Sequence, residues 1–145
     1  MTNKNINHVL GYHINVVSHF LQNKYNHKLA QYDMTSSQAK VLYFLADYGE
    51  QVQSELQDRL YIKGSSMNGL IESLLKKDLI ARRPSEEDRR AKLVRLTDKG
   101  KALEADLWNV IEGLENQLAE GFEEEEVQVL ISWLKRMKQN MDSCS

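Results

Sequence analysis

The chain has 145 residues, 41% hydrophobic and 28% charged, an ordinary soluble globular composition that can bury a core without disulfide staples. No apolar run approaches the roughly 18 residues of a membrane span, and the start MTNKNINHVL lacks the apolar stretch and cleavage site of a signal peptide. The single cysteine, Cys144, has no internal partner, so a cytoplasmic, non-membrane protein is expected. The net charge of −2 argues by itself against a nucleic-acid partner, but its distribution does not. Residues 1–51 carry four lysines against three acids, residues 52–100 eleven Lys/Arg against eight acids, and residues 101–145 four Lys/Arg against ten acids. A mildly basic middle on an otherwise neutral-to-acidic chain fits a local phosphate-facing surface.

In chain order, the first predicted element is a long amphipathic helix over about 6–29, with Ile6, Val9, Leu10, Val16, Val17, Phe20 and Leu21 on one arc. Thr35-Ser36-Ser37-Gln38 reads as a capping box, with Thr35 as N-cap and Gln38 reaching back. The helix behind it carries Val41, Leu42, Phe44 and Leu45 and stops at Gly49. A short helix follows over about 53–60, then a fourth over 65–77 with Met67, Leu70, Ile71, Leu74 and Leu75 in one arc. Segments 79–83 and 92–96 read as two short strands, and 84–90 as the charged tip of their hairpin. Thr97 is the expected N-cap of a helix bearing Leu103, Leu107, Val110, Ile111, Leu114 and Leu118. After Gly121 a last helix opens on Glu123 to Glu126 and closes on Lys135, Arg136 and Lys138, charges placed to suit its dipole. The fold class is therefore mainly α with a small β-hairpin wing.

Three short helices followed by a two-stranded hairpin form a unit whose third helix fits a DNA major groove. Opposite the apolar arc of that helix lie Ser65, Ser66, Asn68, Gly69, Glu72, Ser73 and Lys76, small or polar groups that let backbone approach base edges. The competing reading of this face is an ordinary solvated helix surface. On the hairpin tip, Arg89, Arg90 and Lys92 project three cations, and an arginine so placed fits a narrow, negative minor groove. Asp88 would repel phosphate unless it pairs with and orients an arginine, so that pairing is expected. A solvated charged turn is the alternative here.

The stretch Asp88-x-Arg90-x5-Leu96-Thr97, continued by Asp98-Lys99-Gly100-Lys101-Ala102-Leu103, resembles the MarR family of bacterial regulators. Met34-Thr35-x-x-Gln38-x-x-Val41-Leu42, Ser54-Glu55-Leu56 and Leu74-x-Lys76-Lys77-x-Leu79-Ile80 agree with the family in order and spacing. The resemblance implies a winged helix-turn-helix lobe over 35–96, integrated with dimerisation helices at 1–34 and 97–145. It implies a homodimer that reads a pseudo-palindromic double-stranded operator, with half-sites about one DNA turn apart. Ser65, Ser66 and Asn68 match recognition-helix positions, and Arg90 matches the wing arginine. Two positions depart from the pattern. Gly69 stands where many members carry a long polar side chain, and Asp78 stands where a helix-ending glycine is usual. Aspartate tolerates the left-handed conformation, so that turn is expected to survive.

Many members lose DNA affinity when a small aromatic or amphipathic molecule binds between the dimerisation helices and the DNA lobe. Tyr12, His13, Tyr32 and Tyr43 are the residues here that suit such an effector, although each also fits a core or rim role. The histidines at 8, 13, 19 and 27 form no i,i+3 or i,i+4 pair, so no metal site is expected. No cofactor is expected, and no nucleophile elbow, phosphate loop or HExxH run is present, which argues against an enzyme. The reading from these features is a sequence-specific repressor released by a small ligand. A protein-interaction or ligand-sequestering module on the same fold is the second reading, given room by Gly69 and the acidic total.

Overall fold

The computed structural model describes residues 4–143, so Cys144 lies outside the described residues. Two compact units form, residues 1–111 and 112–145. In the first, a 3-10 turn Ile6–His8 precedes helix α1, Leu10–Ala30. The long helix expected from residue 6 is thus broken at its start. Asn5 accepts from the Asn7 amide through its side chain, and Val9 adopts extended angles of φ −94 and ψ 113, which reset the chain direction. A short polar side chain that bonds its neighbouring backbone competes with helix here.

Helix α2, Ser36–Tyr48, starts where its capping box dictates. Thr35 Oγ1 accepts from the Gln38 amide at 3.2 Å, and the Thr35 amide donates to Gln38 Oε1 at 3.0 Å. Two orphan donors of the first turn are thereby satisfied. Gly49 ends the helix at φ 76, a conformation that costs glycine nothing. A two-residue strand β1, Gln51–Val52, leads into α3, Gln53–Leu60, and then α4, Gly64–Lys76. Strands β2, Ile80–Pro84, and β3, Lys92–Leu96, complete an antiparallel sheet in the order β1-β3-β2. Ile80 faces Leu96 and Pro84 faces Lys92, while Gln51 pairs with Val94. Proline is confined to the last position of an edge strand, where its missing N–H breaks no ladder.

β1 is the one element of this unit with no counterpart among the predicted ones. Two residues are too few to show alternation, and the strand exists because Gln51 is buried against β3. Its Nε2 donates to the Phe44 carbonyl at 3.0 Å, and its Oε1 accepts from Arg59 Nε at 3.0 Å. Arg59 in turn lies 3.6 Å over the Tyr48 ring.

The core of the unit is apolar and contiguous. Leu42, Leu56, Met67, Ile71, Leu74, Leu79 and Val94 are fully buried or nearly so, and Leu29 of α1 and Leu107 of helix α5, Asp98–Leu118, join them. Asp78 sits in the left-handed region at φ 58 after α4, as its tolerance for that conformation allows. The turn is then tied to the next helix. Thr97 Oγ1 donates to the Asp78 carbonyl at 2.7 Å and accepts from the Gly100 amide at 3.0 Å, so the expected cap is formed. A Cβ on Gly100 would fall 2.0 Å from the Leu79 carbonyl oxygen, so only glycine permits this approach of α5 to the α4–β2 turn.

The second unit holds the end of α5 and helix α6, Glu124–Ser143. Glu123 donates its amide to Glu126 Oε1 at 2.9 Å, and Glu124, Glu125 and Glu126 occupy the first turn where the helix dipole favours acids. The cations do not match the other end. The helix runs on to Ser143 with no basic residue in its last turn, and Lys138 pairs instead with Asp142 at 2.6 Å. α6 buries none of its residues, leaving Leu130, Ile131, Trp133 and Leu134 exposed.

Candidate nucleic-acid interface

The apolar side of α4 seats Met67, Ile71 and Leu74 in the core, which turns the opposite side outward. Ser65, Ser66, Asn68, Gly69 and Lys76 are exposed along it. Ser73 sits differently from these. It is half-buried, donates to the Leu70 carbonyl at 2.7 Å and accepts from Gln38 Nε2 at 3.1 Å, which joins α4 to the capping residue of α2. Glu72, the acid on the outward side, is held by Arg82 of β2 at 3.2 Å. Its charge is thereby compensated on a surface that otherwise carries none of the same sign nearby on α4. Asn68 accepts from Gln53 Nε2 at 2.9 Å.

The hairpin between β2 and β3 is closed by two backbone bonds. Ser85 donates to the Ala91 carbonyl and Ala91 donates to the Asp88 carbonyl, each at 2.9 Å. Asp88 Oδ1 accepts the Arg90 amide at 3.1 Å and faces Arg90 Nε at 3.5 Å, the expected pairing of acid and arginine. The Arg90 side chain stays 94% exposed, so the contact orients it without withdrawing it from solvent. Arg89 and Lys92 are exposed beside it. At the root of the hairpin Arg83 makes a two-pronged contact with Glu50, at 2.7 and 3.2 Å, which holds β2 to the end of α2. The Arg83 guanidinium holds the Glu50 carboxyl below its ordinary range. The result is one lobe presenting a small-residue helix face together with a cationic hairpin tip.

The family model for the MarR family matches residues 32–91, which span α2 to the hairpin tip. The HTH-type transcriptional regulator MhqR of Bacillus subtilis (strain 168) is 27% identical over 118 residues, covering 81% of this chain and 79% of MhqR. S. aureus MepR, solved in its DNA-binding conformation, superposes with a TM-score of 0.85 at 26% identity, covering 92% of this chain and 98% of MepR. A mutant of E. coli MarR complexed with operator DNA superposes with a TM-score of 0.80 at 26% identity, covering 88% and 92% of the two chains. These likenesses agree on the MarR family, whose model covers the helix-turn-helix and the hairpin of this chain.

The stretch from Asp88 to Leu103, which resembles the MarR family, has a local physical meaning in this chain. Its acid and arginine orient each other on the wing, its threonine caps α5, and its glycine lets α5 approach the Leu79 carbonyl. The departure at Gly69 leaves an open gap: a Cβ there would meet nothing within 4 Å.

The four residues considered for an effector do not converge within one chain. Tyr43 is buried, where its hydroxyl accepts from Tyr25 at 2.8 Å, donates to the Leu107 carbonyl at 3.3 Å, and its ring meets Trp108 edge-on at 5.5 Å. Burial pushes the phenols of Tyr25 and Tyr43 above their ordinary pKa. Tyr12 is exposed, edge-on to His13 at 5.3 Å, and His13 Nε2 donates to the Asn7 carbonyl at 2.7 Å. Tyr32 is exposed just after α1. A hollow of about 400 Å³ is lined by other residues, among them Leu45, Glu50, Arg95, Lys101 and Glu104. Burial, and secondarily Asp47, raises the Glu104 carboxyl. Among the described residues no group of three or more His, Cys, Asp or Glu side chains is placed to hold a metal, and no helix is long and apolar enough to cross a membrane.

Periodicity missed Gln53 and Glu50, and it gave no sign that Gln38 also joins Ser73 or that α5 approaches Leu79 at Gly100. Each of these contacts is made with a partner distant in sequence, so no local pattern marks it.

Proposed function

We propose that this chain is a cytoplasmic, sequence-specific transcriptional regulator that binds double-stranded DNA as a homodimer and acts as a repressor. The observation that carries the reading is the exposed face of α4, with Ser65, Ser66 and Asn68, on the same lobe as the oriented wing arginine Arg90. The helix face enters the major groove, where hydrogen-bond patterns distinguish bases. Arg90, with Arg89 and Lys92 beside it, reaches the adjacent minor groove and phosphates. Gly69, Ser73 and Lys76 complete the helix side of the interface. Of these, Gly69 contributes close approach, Lys76 a phosphate contact, and Ser73 the anchoring of α4 to Gln38.

The helices at 1–34 and 97–145 supply the dimer. The reading is supported by the exposed apolar residues Leu10, Val17 and Phe20 on α1 and Leu130, Trp133 and Leu134 on α6, large side chains that a second copy would cover. MepR in its DNA-binding conformation and MarR bound to its operator support DNA reading by a chain of this shape. Release by a small aromatic or amphipathic ligand is the finer part of the proposal. It is supported by the Tyr25–Tyr43–Trp108 cluster, which ties α1 to α2 and α5, and Tyr12, His13 and Tyr32 would enter the effector site from the dimer. Such a ligand acts only if it binds the DNA-incompetent arrangement more tightly than the competent one.

The test is fluorescence anisotropy of the purified protein on the DNA upstream of its own gene, over a range of salt concentrations, with scrambled DNA and Arg90→Ala as controls. Specific binding should fall with salt at a slope of about 0.9 per phosphate neutralised. Arg90→Ala should weaken it by about tenfold, roughly 1.4 kcal/mol. Salt-insensitive binding, equal on both DNAs, would instead favour an interaction or sequestering module.

A further inference from the structure

The contact between Gln53 and Asn68 bears on what Asn68 reads, and the inference drawn from it rests on the DNA-binding function proposed above. Gln53 opens α3 and is half-buried, whereas Asn68 is exposed on the outward face of α4. Gln53 Nε2 donates to Asn68 Oδ1 at 2.9 Å, while Gln53 Oε1 is buried with no hydrogen-bond partner. We infer that Gln53 is a positioning residue that sets base preference, by turning the oxygen of Asn68 inward and presenting its amide donors to the groove.

An unrestrained asparagine offers one acceptor and one donor side by side, the arrangement that pairs bidentately with adenine N6 and N7. Here the acceptor is directed at Gln53, so the outward group is the Nδ2 amide with its N–H donors. Guanine presents two acceptors, N7 and O6, and no donor on its major-groove edge, whereas cytosine presents the N4 donor. The restrained Asn68 therefore favours guanine. The inverted arrangement, with Asn68 donating to Gln53, would place the Gln53 amide nitrogen where its oxygen is now buried. A buried N–H without an acceptor is rarer and costlier than an under-satisfied oxygen, which favours the arrangement seen. The open space around Gly69 leaves Asn68 unobstructed by its neighbour on the helix.

The orphaned oxygen also separates a specificity role from a structural one. Gln53→Leu removes a buried acceptor without a partner, so its melting temperature should equal or exceed that of the wild type. Its base preference should nevertheless change. The experiment selects bound sequences from a randomised operator library with the wild type, Gln53→Leu, Gln53→Glu and Asn68→Ala, and measures affinities on the four single-base variants of the selected site. The wild type should prefer guanine over adenine about tenfold at one position per half-site. Asn68→Ala should abolish that preference. Gln53→Leu should move it towards adenine, since the freed amide can rotate into the bidentate arrangement. Gln53→Glu, which only accepts, should turn the amide inward and move preference towards cytosine, while its charge lowers affinity on every sequence. A Gln53→Leu protein that keeps the wild-type preference overturns the inference, as does a wild type that selects adenine at the position lost in Asn68→Ala. A wild type that binds no DNA sequence better than scrambled DNA fails at the earlier step, the proposed function itself.

Discussion

Helices α4 and α6 both carry apolar residues at helical spacing, and their environments differ completely. In α4, Met67, Ile71 and Leu74 are fully buried, covered by α2, α3 and the sheet of the same unit. In α6, Leu130, Ile131, Trp133 and Leu134 remain between 39% and 49% exposed, and no residue of the helix is buried. The apolar arc therefore says that a face seeks cover, and says nothing about which molecule supplies it. α4 closes its core within the chain and leaves its polar side exposed. α6 leaves its apolar side open, and in the proposed dimer a second copy closes it.

The largest effect that would sharpen this contrast is expected within the closed unit. Gly100→Ala places a methyl against the Leu79 carbonyl and should cost on the order of 3 kcal/mol, lowering the melting temperature by roughly 10 °C in calorimetry. A variant that melts with the wild type would mean that α5 can draw back from the turn without loss. Trp133→Glu makes the matching change on the open helix. It should weaken self-association roughly thirtyfold in sedimentation velocity, about 2 kcal/mol, with secondary structure retained at high protein concentration. An unchanged oligomeric state would show that α6 is covered by something other than a second copy.

Smaller effects probe the lobe alone. Thr35→Ala removes one arm of the capping box and should destabilise by about 1 kcal/mol in denaturant titration, with DNA affinity unchanged at saturating folded protein. The smallest effect is expected at Glu104, whose carboxyl is raised from 4.5 by burial and then by Asp47. Because the folded form resists ionisation, the group favours folding below the ordinary carboxylate pKa and loses that contribution as pH rises through its folded value. Glu104→Gln should therefore stabilise near neutral pH by less than about 0.5 kcal/mol, given how much of the group faces solvent. The advantage should shrink to nothing near pH 4, and a difference flat across that range would contradict the assignment.

Much of the lobe was legible in the sequence because its signals are local. The Thr35–Gln38 box, the stop at Gly49, the left-handed Asp78, the Asp88–Arg90 pairing and the Thr97 cap each depend on residues within a few positions of one another. The wing strands were also legible, within a residue at each end. The break at Val9 is local too, but the turn preference of Asn5 competes there with a continuous apolar arc that spans it.

The amino-acid sequence by itself determined the order of the α-helices and wing strands, the Thr35 and Thr97 caps and the apolar arc of α4, since these follow from backbone preferences and hydrophobic spacing along one segment. Tertiary structure alone decided that Gln51 and Val52 pair with β3, that Ser73 turns inward to Gln38, that position 100 must be glycine and that Gln53 holds Asn68. Each of these depends on groups fifteen or more residues apart meeting within a few ångströms. Such a meeting is fixed by how the elements pack, and no periodicity within a single segment encodes it.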